Sequence, residues 1–94
     1  MAEELVRYFG RAAGRVQGVG FRFFVQQNAE ALDITGWVRN MDDGTVTMEL
    51  QGAPEQVDVL EQRIRAGNAF VKVRSLELEV MERKEGEKSF HIRY

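Results

Sequence analysis

The hydrophobic period of the chain changes in a fixed order, and this order constrains the fold more than any other feature. The successive patterns are strand 6–13, helix 21–32, strand 34–41, strand 45–51, helix 54–66, strand 71–81 and strand 89–94. This is the order of two split β-α-β units followed by a terminal strand. We therefore predict an α+β, ferredoxin-like βαββαβ sandwich, with an antiparallel sheet, two helices on one face and a short C-terminal strand.

Local signals refine the predicted boundaries. Pro54 suits the first position of a helix and Gly67 its C-terminal cap. Asp42-Asp43-Gly44 lies between two alternating runs and predicts a hairpin turn. In the strand 71–81, the apolar positions change from odd to even numbers, which predicts a β-bulge near Arg74-Ser75.

Length and composition exclude several function classes. The 94 residues predict a single domain, 1–94, and contain no cysteine and one histidine, His91. Disulfide scaffolds, thiolate metal sites and a cysteine nucleophile are therefore excluded, and we expect neither a metal nor a cofactor. The chain has no apolar run of transmembrane length and begins with acidic residues, so we expect a cytoplasmic protein that does not bind membranes.

The charge distribution points to a small anion. The net charge of −2 argues against a dedicated nucleic-acid binder. Between Leu5 and Ala29, however, there are four arginines and no acidic residue, and such a segment attracts small anions. Those arginines are Arg7, Arg11, Arg15 and Arg22. Arg7 and Arg11 fit a solvated strand face equally well.

The most informative segment is GRVQGVGFR, residues 14–22, which joins the first strand to the first helix. Its glycines allow successive backbone N–H groups to turn toward one point, and the helix N-terminus adds unpaired N–H groups with partial positive charge. Arg22 falls in the first helical turn, where its guanidinium can bind two oxygens of one anion. The segment predicts a phosphate or carboxylate site, although it matches neither the P-loop nor the dinucleotide motif.

These residues carry a resemblance to a known family. GRVQGVGFR, followed by GWVRN at 36–40, then DDG, a V-x-M-x-L strand and a terminal F-x-I-R-Y, resembles the acylphosphatases over nearly the whole chain. The resemblance implies hydrolysis of the carboxyl–phosphate bond of acyl phosphates, with Arg22 and Asn40 as catalytic residues and Asn40 orienting the attacking water. It implies a phosphate cradle formed by Arg15, Val16, Gln17, Gly18, Val19, Gly20, Phe21 and Arg22.

The residue types are consistent with that chemistry. The chain has no cysteine, and neither His91 nor the turn residues Asp42 and Asp43 form a cluster that would support covalent or metal catalysis. Backbone N–H groups, one arginine and one amide can supply only positioning and electrostatic stabilisation. An acyl phosphate expels a carboxylate, a weak base with a conjugate-acid pKa of about 4, and so needs no general acid.

Two side chains keep alternative interpretations. By alternation Asn40 shares a face with Ile34, Gly36 and Val38, so it could bind a water there or cap the following turn. Gln17 could contact substrate or only solvent.

Two other functions are compatible with this order of elements. One is a non-catalytic phosphate- or anion-binding module of the same fold, which would not need Asn40. The other is an RNA-binding domain, but the strand 45–51 lacks the aromatic residues that such domains use for base stacking. We expect a monomer that binds a small acyl phosphate, with inorganic phosphate as product and inhibitor.

Overall fold

The computed structural model of the chain describes residues 4–94. Its elements are β1 Val6–Arg15, α1 Phe21–Ala31, β2 Thr35–Asn40, β3 Val46–Gly52, α2 Pro54–Ala66, β4 Lys72–Met81 and β5 Phe90–Arg93. The strands form one sheet in the order β4-β1-β3-β2-β5. The predicted ferredoxin-like order is confirmed, and α2 has the predicted bounds.

The fifth strand departs from the predicted all-antiparallel sheet. Strands β1 to β4 pair antiparallel, but β5 pairs parallel with β2, with Val38 opposite Ile92. Strands β4 and β5 lie at opposite edges of the sheet, and the eight-residue connection between them crosses from one edge to the other. This crossing allows a parallel pairing that a tight hairpin would forbid.

The first strand is longer than predicted. It continues through Gly14 and Arg15, which pair with Val73 and Lys72 of β4. The register shifts between Ala13 and Gly14, so that Arg74 is left without a partner on β1. The bulge predicted near Arg74-Ser75 is thus confirmed, and the glycine-rich loop shortens to residues 16–20.

The core lies between the sheet and the two helices. Helix α1 buries Phe21, Val25 and Ala29, and helix α2 buries Val57, Leu60 and Ile64. These side chains pack with Val38 of β2 and with Val46, Met48 and Leu50 of β3. The spacing of three and four residues on each helix places all six on the faces that meet the sheet.

Arg7 lies on the opposite face of the sheet, and it is not solvated. It is 1% exposed and donates hydrogen bonds to Glu49, Gln51 and Glu87. Gln51 also binds the backbone N–H and carbonyl of Lys84, which fastens the β4–β5 connection to the sheet. The alternative of a solvated Arg7 is therefore wrong, because Glu49 of β3 and Glu87 of the connection both bind its guanidinium. Arg11 is largely exposed and lies 3.6 Å from Asp43.

Candidate active site

Three strand ends meet at one edge of the sheet. Strands β1 and β2 both run antiparallel to β3, and β5 runs parallel to β2, so all three end on the same side. A cavity of about 300 Å³ opens there. It is lined by Val16, Gly18, Gly20, Phe21, Arg22, Phe23, Asn40, Ile92 and Tyr94. We call it the Arg22/Asn40 cavity.

The loop 16–20 presents unpaired backbone donors to this cavity. Gly18 and Gly20 have φ angles of 73° and 78°, and a Cβ added to either would meet no atom within 4 Å. Positive φ is the conformation that glycine adopts without steric cost. The backbone N–H groups of residues 17–20 make no hydrogen bond with any residue in the range 4–94. They are therefore free to bind an anion.

Helix α1 begins at the same place and adds its own positive end. Gly20 is the N-cap residue, no side chain caps the helix, and its first turn contains no acidic residue. The first helical bond runs from Phe24 N–H to Gly20 C=O at 2.9 Å, so the preceding N–H groups have no helical partner. The helix dipole and these N–H groups favour a bound anion together.

One nitrogen of the Arg22 guanidinium is held by a hydrogen bond to β5. Its Nη1 donates to the Arg93 carbonyl at 3.0 Å, and its Cζ lies 4.7 Å from the centre of the Tyr94 ring. The Nε and Nη2 atoms make no hydrogen bond with the residues that the structure describes. The guanidinium is thus oriented by β5 while it keeps two donors for a ligand.

Asn40 ends β2 in the wall of the cavity. Its Oδ1 is buried and has no hydrogen-bond partner among residues 4–94. The adjacent turn is held without it, by a bond from Gly44 N–H to Met41 C=O and by Asp43, which accepts from Thr45. The turn-capping alternative for Asn40 therefore has no support in its contacts. A buried, unpartnered amide oxygen is rare in folded proteins and suits a site that binds water or ligand.

The predicted cradle residues differ in what they contact. Val16, Gly18, Gly20, Phe21 and Arg22 line the cavity, whereas Arg15, Gln17 and Val19 do not. The Gln17 side chain donates to the carbonyls of Met41 and Thr45 at 2.7 and 2.8 Å. It thereby fastens the loop to the β2–β3 hairpin, a role that neither sequence interpretation of Gln17 included.

The charges around the cavity favour an anionic ligand. None of the lining residues is acidic, and Arg22 is the one cation among them. Asp43 lies in the β2–β3 turn and does not line the cavity. The pKa of its carboxyl group is below the ordinary value, chiefly because the carboxylate accepts hydrogen bonds from the hydroxyl and backbone N–H of Thr45, and Arg11 adds a smaller attraction. Within residues 4–94 no three His, Cys, Asp or Glu side chains cluster as metal ligands would.

Three cavity residues were not predicted from the sequence as site residues. Phe23 is exposed beside Arg22, and Ile92 and Tyr94 belong to the C-terminal strand. Phe90, Ile92 and Tyr94 alternate along the sequence and so share one face of the strand, but only the parallel pairing of β5 shows that this face reaches the cavity. No helix in the described part of the chain is long and apolar enough to cross a membrane.

Comparison with known proteins gives a consistent picture. The family model described as Acylphosphatase matches residues 8–92. An acylphosphatase of Clostridium beijerinckii is 42% identical over 90 residues, which cover 96% of this chain and 100% of that protein. One from Geobacillus thermodenitrificans is 49% identical over 81 residues, 86% of each chain. The crystal structure of the acylphosphatase from Bacillus subtilis superposes with a TM-score of 0.89 at 36% identity, covering 95% of this chain and 99% of that one.

Proposed function

The chain belongs to the acylphosphatase family and is an acylphosphatase, and from that premise we propose how the Arg22/Asn40 cavity hydrolyses its substrate. A water oxygen attacks phosphorus, the bond from phosphorus to the acyl oxygen breaks, and the electron pair leaves with the carboxylate. The acyl phosphate dianion and water thus give a carboxylate and dihydrogen phosphate, which keeps both water hydrogens.

The phosphoryl group lies, in this proposal, against the loop 16–20 and the start of α1. The free N–H groups there and the two unused donors of Arg22 bind the phosphoryl oxygens. In the transition state of phosphoryl transfer the negative charge is spread over those oxygens, so preorganised donors in a sheltered site stabilise it. Val19 contributes through its free backbone N–H, Arg15 joins the loop to β1, and Gln17 holds the loop in place.

Asn40 orients the attacking water. Its unpartnered Oδ1 accepts a hydrogen bond from that water, and its Nδ2 can donate another. The single observation that carries the proposal is that Asn40, whose Oδ1 has no hydrogen-bond partner in the described structure, lines the same cavity as Arg22. A module that only bound anions would have no use for a buried acceptor beside its cationic site.

Several further properties belong to the same proposal. We expect inorganic phosphate to inhibit competitively as the product, and activity to require no metal or cofactor. We further propose that the chain acts as a single domain and a monomer in the cytoplasm, without nucleic-acid or membrane partners; the composition and net charge support these expectations.

A substrate panel tests the proposed function. Purified protein is given acetyl phosphate, benzoyl phosphate and phenyl phosphate, and release of inorganic phosphate is followed. We expect turnover of the two acyl phosphates, because each expels a weakly basic carboxylate, and little or none of the ester. Binding of inorganic phosphate without turnover of either acyl phosphate would instead identify an anion-binding module.

A further inference from the structure

Four large apolar side chains are exposed in the described part of the chain, and two of them lie at the Arg22/Asn40 cavity. The four are Phe23 at 56%, Phe70 at 69%, Val80 at 70% and Tyr94 at 91%. Phe23 and Tyr94 line the cavity, whereas Phe70 and Val80 do not. Single exposed apolar residues are ordinary, but apolar side chains around a concave site with a few polar anchors are typical of a ligand-binding surface.

The other side chains of the cavity wall are mostly apolar. Ile92 is half-buried and adds aliphatic surface, and Val16 lies buried behind the loop. Polar side-chain atoms come only from Arg22, Asn40 and the phenol of Tyr94. The proposed mechanism already uses Arg22 and Asn40 for phosphate and water. The lining residues include no further charged side chain that could bind a charged group on the acyl side of a substrate.

We infer that Phe23 and Tyr94 form an acyl-binding rim and that the enzyme prefers acyl phosphates with apolar acyl groups, such as aroyl or branched alkanoyl phosphates. This inference rests on the proposed function. Phe23 follows Arg22 in the first turn of α1, and Tyr94 stacks on the Arg22 guanidinium. A phosphoryl group bound by Arg22 therefore has both aromatic rings within reach of its acyl substituent, which loses apolar surface to water when it contacts them.

Phe23 is the cleaner of the two residues to test. Tyr94 lies against Arg22, so its removal would also disturb the guanidinium. Phe23 has no such contact and is more than half exposed, so its replacement leaves the core intact. Phe70 provides a matched control, because it is a similarly exposed phenylalanine that does not line the cavity.

The experiment measures kcat/KM for benzoyl phosphate and acetyl phosphate in the unmodified enzyme, Phe23→Ser, Phe23→Leu and Phe70→Ser. The readout is the ratio of the two values, because the intrinsic reactivity of each substrate cancels when ratios are compared between variants. We expect Phe23→Ser to lower the ratio about tenfold, the discrimination expected of one partly open apolar contact. Phe23→Leu keeps an apolar contact and should retain most of the ratio, and Phe70→Ser should leave it unchanged.

Two results would contradict the inference of an acyl-binding rim. One is a ratio within twofold of the unmodified enzyme in Phe23→Ser, and the other is an equal fall in Phe70→Ser. Both leave hydrolysis of acyl phosphates in place, so they contradict this inference without touching the proposed function. If the unmodified enzyme hydrolyses neither substrate, both the acyl-binding rim and the proposed function are contradicted. The two kinds of failure are therefore distinguishable.

Discussion

The guanidinium of Arg22 donates to the carbonyl of Arg93 at 3.0 Å, which joins the first turn of α1 to the last residue of β5. The two residues are 71 positions apart in the sequence. Because one corner of the guanidinium is held by this bond, the remaining donors have a fixed direction before a ligand arrives. Preorganisation of this kind avoids reorganisation during the reaction.

Arg22→Lys should lose most of the activity although it keeps the charge. An ammonium group cannot donate to the Arg93 carbonyl and also bind two phosphoryl oxygens in the planar geometry of a guanidinium. We expect kcat/KM to fall about 10²-fold or more, with weaker inhibition by phosphate. Steady-state kinetics with benzoyl phosphate measures both effects. Arg63→Lys, on the exposed side of α2, is the control and should retain full activity.

Gly18→Ala should weaken phosphate binding more than its conformational strain explains. Gly18 and Gly86 have φ angles of 73° and 76°, and a Cβ at either would meet nothing within 4 Å. Alanine in this conformation costs about 1 kcal/mol, so both variants should lose similar stability. Only Gly18→Ala disturbs the cavity donors, so the phosphate inhibition constant should rise about tenfold in that variant alone, since a lost hydrogen bond to an anion costs about 1.5 kcal/mol. Equal inhibition constants in the two variants would show that the loop does not hold the phosphate.

Chelation should leave the activity unchanged. The proposed mechanism assigns charge stabilisation to Arg22 and backbone N–H groups, and the described residues contain no cluster of metal ligands. We expect the initial rate with benzoyl phosphate to be the same after extensive treatment with EDTA. A loss that magnesium or zinc restores would contradict the mechanism.

Glu87→Gln should destabilise the protein in a way that depends on pH. Partial burial raises the pKa of Glu87, but hydrogen bonds from Arg7 and Thr35 and attraction to Arg7 and Lys84 outweigh it, so the pKa lies below the ordinary value. A carboxyl group whose pKa is lower in the folded state stabilises the fold above its unfolded pKa of about 4.3. That contribution disappears as the pH falls through the lower, folded pKa.

The unmodified protein should therefore be more stable than Glu87→Gln by about 1.5 kcal/mol at pH 7, with the two converging in acid. Urea unfolding between pH 7 and pH 3 measures the difference. Glu85→Gln is the control, because the Glu85 side chain is 90% exposed and 3.8 Å from its partner Arg83, whereas the Glu87 side chain is 11% exposed. A constant difference over the whole range would show that Glu87 is not held as a carboxylate by Arg7.

The sequence predicted the fold well where a local pattern determines the structure. Helical spacing and the signals at Pro54 and Gly67 placed α2, and a change of apolar phase placed the bulge at Arg74. The direction of β5 could not be predicted in this way. A four-residue edge strand has too few residues to favour parallel or antiparallel pairing, and the contacts that hold the preceding connection to Gln51 and Arg7 join residues more than 30 positions apart.

The same limit explains what was missed at the site. Glycine spacing and the start of a helical period indicated the loop and Arg22, because the features that make an anion site there are local. Ile92 and Tyr94 reach the cavity only because β5 runs parallel to β2. The Gln17 contact with Met41 and Thr45 likewise joins residues more than 20 positions apart, for which the sequence contains no local signal.

The water-orienting role of Asn40 is the central claim, and Asn40→Ala tests it most directly. The measurement is kcat for benzoyl phosphate together with the inhibition constant of inorganic phosphate, with Asn28→Ala in the middle of α1 as control. We predict a fall in kcat of about 10²–10³-fold with phosphate affinity within about threefold, because the lost hydrogen bond is made mainly in the transition state. Stability should not fall, since the variant removes a buried oxygen that has no partner in the described structure. Near-full turnover in Asn40→Ala, or a loss of phosphate affinity as large as the loss of kcat, would contradict the account.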